Sequence, residues 1–474
     1  MKDIKHVNPA AIGYVEKNEQ DNYLDEEFIK NNPECWEIIK LFSDSPFLTQ
    51  EEICKKLNLE KEQLIEFNQK ILSSDWAQNY IINSGAGKKY WNNTVIPTVS
   101  NGKAEAVLNN HYKYPDRIGF CPGLSCQFFC TFCGRNYSAA YEREFGDKGY
   151  EIFKKIIDET PNDENEINPY HITGGLEPLT FPRIGDLISY GAKKGFPMEM
   201  KTNGFSLTPE FLKKQPGILD LAVLRISLYG VDEKSTVEVT KNPKGFERVK
   251  NNIINFLKLK TKIKLGLNYV ILHNNLDDVL RLLDYIEDVN SKSDNQVDFL
   301  TLREDFSPEA KILSYDERKK LSKIFQEIDN RLKNKNLNKL HIDYGYALES
   351  IKQNRQSFQS LKRIQHQEMR PKMFPQISIM IDPKGDVYGY HEATFLDKEG
   401  SERYVVGQVS ENKSLKQIVK DFVEKSEGVT NPLPLDISFL DAYDHIITIL
   451  LNQAEADKKF GIPWKNGPVK ARIF

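Results

Sequence analysis

The sequence predicts an α/β protein built on a partial (βα)6-type barrel, with a helical region before it and a smaller extension after it. Three observations predict this class. Residues 111–350 alternate short apolar runs with amphipathic stretches of helical period, which is typical of parallel βα units. Residues 1–110 have mainly helical spacing, and residues 351–474 combine a hairpin pattern with a helix. We therefore expect three units with these boundaries.

The N-terminal region is represented by "SPFLTQEEICKKLNLEKEQLIEFNQKI", which combines Ser and Thr caps with apolar residues at i, i+3 and i+4. Its spacing is similar to that of a helix-turn-helix. Acidic residues occupy its exposed positions, however, and no basic stripe is present to contact DNA. We expect these helices to pack against the rest of the protein.

The barrel is predicted from seven candidate strands separated by helices such as "GYEIFKKIIDE" and "FERVKNNIINFLKL". In chain order the strands are "RIGFC", "PYHITG", "PMEMKT", "AVLRISLYG", "KLGLNYVIL", "VDFLTLR" and "LHIDYG". In parallel barrels the chemistry gathers at the C-terminal ends of the strands. Polar residues at those ends are therefore the first candidates for function.

The C-terminal extension begins with "QISIMIDPKGDVYGYHEATF", which predicts a β-hairpin turning at Pro383-Lys384-Gly385. "YVVGQVSENKSLKQIVKDFVEKS" then predicts a strand, a turn and a helix capped near Ser414. The 341 residues after Cys133 contain no cysteine. This part of the chain therefore cannot hold a thiolate-bound metal centre.

Composition argues against a nucleic-acid-binding protein and against a membrane protein. The net charge is −3, and Lys-rich pieces such as "KLKTKIK" alternate with apolar residues, as solvated faces do. No apolar run is long enough to span a bilayer, and the N-terminus lacks the apolar core of a signal peptide. We expect a cytoplasmic protein that binds neither nucleic acid nor membrane.

Four of the six cysteines fall within the 13 residues from Cys121 to Cys133. Cys126-x3-Cys130-x2-Cys133 supplies three thiolates on one loop, which indicates metal ligation. A structural zinc could recruit Cys121 or a histidine as its fourth ligand, whereas a [4Fe–4S] cluster could leave one iron open. The absence of a second C-x2-C pair favours the cluster, and Cys121 is expected to be a core residue.

The motif "SCQFFCTFC" resembles the signature of the radical S-adenosylmethionine (SAM) superfamily, with Phe132 in the aromatic position. The resemblance implies that Cys126, Cys130 and Cys133 bind one [4Fe–4S] cluster and that SAM chelates its open iron. The cysteine-free hairpin and helix are similar to the SPASM/twitch extension of this superfamily. One cluster is therefore expected.

Further motifs at the strand ends resemble the SAM-binding positions of the superfamily: "GGLEP" after the second strand, "KTNG" after the third and "RISLYG" on the fourth. Arg225 lies within an apolar strand and needs an anionic partner, for which the SAM carboxylate and a neighbouring Glu are both candidates. A leucine is inserted into the family's Gly-Gly-Glu-Pro turn. The implied SAM contacts are Phe132, Gly174, Gly175, Glu177, Asn203, Arg225, Ser227 and Arg303.

A closer resemblance joins "GGLEPLT", "LRISLYG", "LREDF", "HIDYGYAL", "MRP" and "GDVY" to the radical SAM deaminase family of desosamine biosynthesis. It implies a nucleotide-activated amino-deoxy sugar, a TDP-4-amino-4,6-dideoxyhexose, that loses hydrogen to a 5′-deoxyadenosyl radical and then loses ammonia to give a keto-deoxy sugar. His391 stands where the family pattern has Arg. The candidate catalytic residues are Glu304, Asp305, Tyr344, Tyr346 and His391, with Glu392 beside them, and the candidate pyrophosphate contacts are Arg370 and Arg403.

Other functions remain open at this point. The enzyme could instead be a radical SAM dehydrogenase or dehydratase of another NDP-sugar, or a peptide-modifying radical SAM enzyme. A structural zinc protein whose N-terminal helices bind a partner is the alternative from another class. The expected partners are the nucleotide sugar, an electron donor such as flavodoxin or ferredoxin, and a second copy of the chain in a homodimer.

Overall fold

The computed structural model describes residues 24–44, 48–84, 90, 94–99, 102–134, 139–161, 170–305, 313–333, 336–352, 372–426 and 437–462. Arg370, predicted as a substrate contact, lies outside these ranges. Within the described residues, no helix has the length and hydropathy that crossing a bilayer requires.

In the part of the chain that the structure describes, ten strands form one sheet in the order β10-β9-β8-β1-β2-β3-β4-β5-β6-β7. Each strand from β1 to β7 pairs in parallel with the next, and β8 joins the free side of β1, also in parallel. The predicted partial barrel is confirmed, with all seven candidate strands in their predicted order. The strands are β1 (Arg117–Phe120), β2 (Tyr170–Ile172), β3 (Met198–Thr202), β4 (Val223–Leu228), β5 (Lys264–Ile271), β6 (Phe299–Glu304), β7 (His341–Asp343), β8 (Ser378–Ile381), β9 (Asp386–Tyr388) and β10 (Val405–Gln408).

The hairpin predicted in the extension is β8 with β9, and β10 pairs antiparallel with β9. The sequence did not reveal that β8 would continue the barrel sheet next to β1. This pairing is long-range, so no local pattern predicts it. Its consequence is that the extension forms one wall of the barrel.

Helices precede the barrel, alternate with its strands and follow it. Before β1 they are α1 (Glu26–Asn31), α2 (Pro33–Asp44), α3 (Gln50–Leu57), α4 (Lys61–Ser73), α5 (Asp75–Ser84), α6 (Ile96–Val99) and α7 (Lys103–Leu108). Within the barrel they are α8 (Phe145–Glu159), α9 (Ile184–Lys193), α10 (Pro209–Lys214), α11 (Glu233–Thr240), α12 (Gly245–Leu257), α13 (Asp278–Ser291), α14 (Tyr315–Arg331) and α15 (Gly345–Lys352). The extension adds α16 (Leu415–Ser426) and α17 (Ala442–Phe460).

Local chemistry explains where several helices begin. Thr49 and Glu52 form a reciprocal capping box at α3, and Ser314 and Glu317 form another at α14. The predicted cap at Ser414 is confirmed, because its hydroxyl accepts a hydrogen bond from the Gln417 amide at 3.1 Å.

The N-terminal helices and the last helix share a hydrophobic core, separate from the core between the barrel sheet and its outer helices. The Gln50 amide at the start of α3 donates to Asp457 of α17 at 2.7 Å, and Lys458 donates to the Leu108 carbonyl of α7 at 3.0 Å. The N-terminal helices therefore pack against α17, whose start reaches the barrel.

The inner face of the barrel is polar. Residues paired across neighbouring parallel strands project to the same side of the sheet. The pairs His171 with Glu199 and Lys201 with Arg225 are followed around the barrel by Ser227 with Asn268 and by Thr301 with Asp343. Apolar residues between them face the outer helices, so the polar side chains line a common interior.

Candidate active site

The loop that carries the three cysteines follows β1 and is held by backbone hydrogen bonds to α11. The amide of Phe129 donates to the Thr240 carbonyl at 2.9 Å, and that of Thr131 donates to the Val239 carbonyl at 3.1 Å. The Cys133 amide donates to the Cys130 carbonyl at 3.0 Å, which tightens the loop between the last two thiols. The fold thus holds the backbone of the cysteine loop against α11.

The three thiols gather around one half-buried tyrosine, Tyr229. All of the cysteines are free; Cys130 is buried, while Cys126 and Cys133 are half-buried. Burial, and then Cys130, Cys126 and Cys133 together with Glu177, hold the pKa of the Tyr229 hydroxyl well above its ordinary value. The ring of Phe132 stacks near Tyr229 with 6.1 Å between centroids. Three soft thiolate ligands converging on one loop fit a [4Fe–4S] cluster with one open iron.

Cys121 lies apart from this group in the core. Its side chain is 2% exposed, and burial raises the pKa of its thiol to about 12. A thiol that stays protonated at neutral pH is a poor metal ligand, because the ligand is the thiolate. The sulfur instead fills the space beside Gly174, where an added Cβ would lie 3.0 Å from it.

The Gly174-Gly175 turn after β2 adopts a left-handed backbone, with φ of 70° and 57°. An added Cβ at Gly174 would lie 3.4 Å from the Thr394 hydroxyl, and one at Gly175 would lie 3.2 Å from the Thr394 carbonyl. A 3₁₀ helix, His391–Thr394, therefore covers this turn. Only glycine combines this backbone with such close approach.

Glu177 ties that turn to the end of β3. Its carboxylate accepts hydrogen bonds from the Asn203 amide at 2.8 Å and from the Thr202 hydroxyl. The Asn203 side chain in turn donates to Cys126 Sγ at 3.7 Å. Burial raises the pKa of the Glu177 carboxyl. The protein itself thus occupies both oxygens of Glu177, which positions Asn203 beside the thiols.

The middle of the barrel contains a buried ionic pair. Arg225 Nε donates to the Glu199 carboxylate, and Arg225 Nη1 donates to Thr301 Oγ1 at 3.0 Å. His171 Nδ1 lies 3.1 Å from the other oxygen of Glu199. Burial alone would raise the pKa of Glu199, but Arg225 and His171 outweigh it and hold that pKa well below its ordinary value. The sequence allowed either the SAM carboxylate or a neighbouring Glu as the anionic partner of Arg225. In the structure the partner is Glu199.

The neighbouring strand ends carry a second pair. Arg303 Nη2 donates to Asp343 Oδ2 at 2.8 Å, and Gly345, with φ of 60°, leaves room for the guanidinium. An added Cβ at Gly345 would lie 2.8 Å from Arg303 Nη1. Glu304 ends β6, and Asp305 follows it immediately. Arg303 and Asp343 thus face the interior as a fixed pair.

The start of α17 closes this side of the barrel with a cluster of charged groups. Asp444 accepts hydrogen bonds from the His391 amide at 2.8 Å and from His391 Nδ1 at 2.9 Å, and Asp441 caps the helix. Potential ligand atoms of His391, Asp441 and Asp444 lie within 4.8 Å of one another. Arg117 stacks 4.0 Å above the Tyr443 ring. The extension thereby contributes two carboxyl groups and an imidazole to the interior, beside Arg117 of β1.

Glu392 reaches from this cluster towards the cysteine loop. Its Oε2 lies 3.9 Å from the position that a Cβ on Gly134, the residue after Cys133, would occupy. Burial, then the nearby Asp441, raises the pKa of Glu392 to about 7. The charged cluster and the thiol group are therefore neighbours.

The structure does not bring every candidate together. The Tyr344 ring packs 4.8 Å from Phe325 of α14, in the outer core, and the Tyr346 ring packs 6.3 Å from Tyr90. Arg403 lies in the 3₁₀ helix Ser401–Tyr404, with its guanidinium 6.0 Å from the Phe439 ring. These three side chains lie in packed surroundings.

Sequence reasoning missed Arg117, Glu199, Lys201, Asp441 and Asp444 as interior groups. For β3 a signal was present: in "MEMKT" the charged residues alternate with methionines, and both methionines are fully buried. Alternation inside a parallel barrel strand indicates side chains that face the interior. No local pattern distinguishes Asp441 and Asp444 from ordinary helix-capping carboxylates.

Comparison with known proteins gives a family. Residues 121–286 match the Radical SAM superfamily model. Over 387 residues the chain is 35% identical to "dTDP-4-amino-4,6-dideoxy-D-glucose ammonia-lyase" of Streptomyces venezuelae, covering 80% of this chain and 78% of that protein. The cysteine loop, β2 to β5 and the first part of α13 fall within the matched residues.

Two further matches are shorter or more distant. Over 89 residues the chain is 34% identical to "Tungsten-containing aldehyde ferredoxin oxidoreductase cofactor-modifying protein" of Pyrococcus furiosus, covering 19% of this chain and 24% of that one. The crystal structure of Streptococcus suis SuiB is similar with a TM-score of 0.46 at 15% identity, covering 76% of each chain.

Proposed function

The chain belongs to the radical SAM superfamily, and we propose that it removes ammonia from a nucleotide-activated amino-deoxy sugar to give a keto-deoxy sugar. Its cofactors are one [4Fe–4S] cluster and SAM, as the family requires. Together they supply, when bound, a carbon radical that takes a hydrogen atom from an unactivated C–H bond.

The observation that carries this proposal is the 35% identity to a protein named as an ammonia-lyase of dTDP-4-amino-4,6-dideoxy-D-glucose. That identity extends over 80% of the chain, far beyond the 166-residue span from 121 to 286 that the superfamily model covers. It therefore includes residues outside the common cofactor machinery. We propose the same class of substrate, a TDP-4-amino-4,6-dideoxyhexose.

The residues around the loop suit the two cofactors. Cys126, Cys130 and Cys133 would bind the cluster. We propose that SAM lies beside the Gly174-Gly175 turn, on the side away from the 3₁₀ helix His391–Thr394, with Phe132, Asn203 and Ser227 around it. Arg225 and Glu177 support this site indirectly, since each is already bonded within the protein.

The interior charges suit the proposed substrate, which carries a cationic amine and an anionic diphosphate. Glu392 places a carboxyl group near the thiol loop, and Asp441 lies close enough to shift the pKa of Glu392, so an amine would be bound there close to the reacting carbon. Arg117 and Lys201 provide positive charge on the barrel wall. Mixed, convergent polar groups of this kind favour a charged, hydroxylated ligand over an apolar one. Arg403 and Arg370 remain proposed contacts of the pyrophosphate.

The proposal separates into two experiments. Iron and acid-labile sulfide analysis of anaerobically purified protein should find about four iron atoms per chain. Zinc as the sole metal would contradict the cofactor assignment. A one-electron donor such as flavodoxin or ferredoxin, or dithionite in its place, should then support SAM cleavage.

The second experiment tests the reaction. Reduced enzyme with SAM is incubated with a panel of NDP-sugars, and 5′-deoxyadenosine and ammonia are measured together. We expect both products with a TDP-4-amino-4,6-dideoxyhexose. Formation of 5′-deoxyadenosine without ammonia would replace deamination with dehydrogenation, and no stimulation by any nucleotide sugar would reject the substrate class.

A further inference from the structure

Lys201 is a charged residue of the barrel wall that neither the cysteine loop nor the SAM site uses. It lies near the end of β3, where Met198 and Met200 face the outer core and Glu199 and Lys201 face the interior. Lys201 pairs in register with Arg225 on β4. Its side chain therefore enters the same interior as the buried ion pair.

The groups that face Lys201 come from four elements. Glu199 lies on its own strand, Arg117 on β1, Arg225 on β4, and Asp441 at the start of α17. Glu199 is already engaged by Arg225 and by His171. Within the described part of the chain, Lys201 has no hydrogen bond or ion pair of its own.

An ammonium ion in this position is costly, because it is removed from water and lies near two guanidinium groups. Burial lowers the pKa of Lys201 to about 8; Glu199 opposes this shift, while Arg117 and Arg225 add to it. At pH 7 about a tenth of this amine is therefore neutral and carries a lone pair, and the neutral fraction reaches about half near pH 8. A surface lysine under the same conditions is almost wholly protonated.

We infer that Lys201 is a catalytic base, whose Nζ accepts the proton of the substrate hydroxyl adjacent to the departing amine. The inference rests on the proposed function, since it assigns one proton transfer within that reaction. Lys201 would contact the sugar directly, at the hydroxyl group of the carbon next to the one that loses nitrogen.

The step balances without a further reagent. Once a hydrogen atom has been removed from the hydroxyl-bearing carbon, the O–H bond breaks and its proton forms a bond to Lys201 Nζ. The C=O double bond forms, the C–N bond breaks with its electron pair on nitrogen, and the unpaired electron passes to the carbon that bore nitrogen. An ammonium group leaves as ammonia while Lys201 becomes an ammonium ion, so charge is conserved.

The test compares Lys201→Arg with a matched control, Lys264→Arg. Lys264 begins β5, two strands from β3 in the sheet, and its amine is paired with Asp298 at 2.9 Å. Arginine keeps the positive charge but cannot serve as a base at these pH values. Because hydrogen removal does not need the base, K201R should still form 5′-deoxyadenosine in response to substrate. Its ammonia yield per 5′-deoxyadenosine should fall by about 100-fold, whereas K264R should match the wild type.

The pH profile adds a second readout. In the wild type, ammonia per 5′-deoxyadenosine should rise with pH and level off above about 8, where Lys201 is neutral. In K201R that rise should disappear. A K201R enzyme with the wild-type ratio and the wild-type pH profile would overturn the inference.

A measurement without substrate separates this inference from the proposed function. Lysine side chains labelled with ¹³C can be titrated by NMR in the cluster-loaded protein, and K201R identifies the Lys201 signal. We expect a midpoint near 8. A midpoint near the ordinary 10.5 would overturn the catalytic role whichever substrate the enzyme uses, whereas a failed sugar panel with a midpoint near 8 would reject only the substrate class.

Discussion

The cysteine loop and the charged cluster at the start of α17 lie next to each other but are built in different ways. The loop places its three thiols within eight consecutive residues and holds them with backbone hydrogen bonds to α11. The charged cluster joins His391 to Asp441 and Asp444, about fifty residues later in the chain, and adds Arg117 from β1.

The difference between these regions has a chemical basis. Cluster binding needs a fixed set of soft ligands, and a short motif can supply them anywhere the loop is held. Substrate recognition needs charges of both signs at positions that match one molecule, and these come from distant parts of the chain. Substitutions should therefore separate the two regions experimentally.

The largest effect is expected on the cysteine loop. Replacing Cys126, Cys130 or Cys133 with Ala removes a thiolate that no neighbour can replace, so iron content and SAM cleavage should both be lost. Iron and sulfide analysis with the visible absorbance of the reduced and oxidised protein measures this. Cys121→Ala is the matched control and should keep four irons; loss of the cluster in C121A alone would reverse the assignment.

The next effect concerns the buried pair that supports both regions. Glu199→Gln leaves Arg225 without its anion in the barrel interior, and such a change costs about 3–5 kcal/mol of unfolding free energy. Denaturant unfolding of the cluster-loaded protein measures the loss. The double variant Glu199→Met with Arg225→Met should recover part of it, because no charge is then left unpaired. An E199Q protein as stable as the wild type would show that the pair is not buried in solution.

Replacing Glu392 should stabilise the protein, whereas replacing Glu199 destabilises it. Its pKa of about 7 is above the ordinary 4.5, so the folded protein favours its protonated form, and stability is lost as pH rises from about 4.5 to 7. Glu392→Gln avoids this loss and should be about 2 kcal/mol more stable than the wild type above pH 7, after allowance for partial exposure. The two proteins should converge near pH 4.5. Exposed Glu424→Gln is the control, and an equal difference at both pH values would contradict the assignment.

The smallest effect should be confined to the charged cluster. Asp444→Asn weakens the two hydrogen bonds that hold His391, so the KM for the sugar should rise about tenfold, equivalent to about 1.4 kcal/mol. Iron content should stay at the wild-type level, because no cysteine contact changes. Asp316→Asn, exposed on α14, serves as the control. Loss of the cluster in D444N would mean that the two regions are not separable.

Much of the barrel could be predicted because each strand and helix carries its own periodicity. The seven strands appeared as apolar runs bounded by turn residues, and the hairpin turn appeared as Pro383-Lys384-Gly385. The pairing of β8 with β1 could not be predicted, because it joins segments more than 250 residues apart. The periodicity of one strand does not indicate which distant strand will pair with it.

The site divides in the same way. "SCQFFCTFC" indicated the cluster ligands because thiol spacing on one loop restricts the geometry by itself. Whether Arg225 pairs with SAM or with a glutamate depended on which strand lies beside β4. That strand is β3, and its Glu199 forms the ion pair with Arg225. Tyr344 follows the end of β7, as other candidates follow their strands, yet its ring packs against Phe325 of α14. The alternation of side chains along a three-residue strand does not determine the direction of the residue after it.

By itself, the sequence determined the class of the fold, the cysteine triad and the glycine turn, because periodicity, ligand spacing and backbone freedom are properties of neighbouring residues. Only the tertiary structure decided which charges share the interior: Lys201 beside Arg117 and Arg225, Glu199 between Arg225 and His171, and Asp444 holding His391. The physical reason is that the free energy of a buried charge depends on the groups that surround it in space. Those groups come from β1, β3, β4 and α17, and no pattern in the sequence predicts that these four elements bring their charges close together.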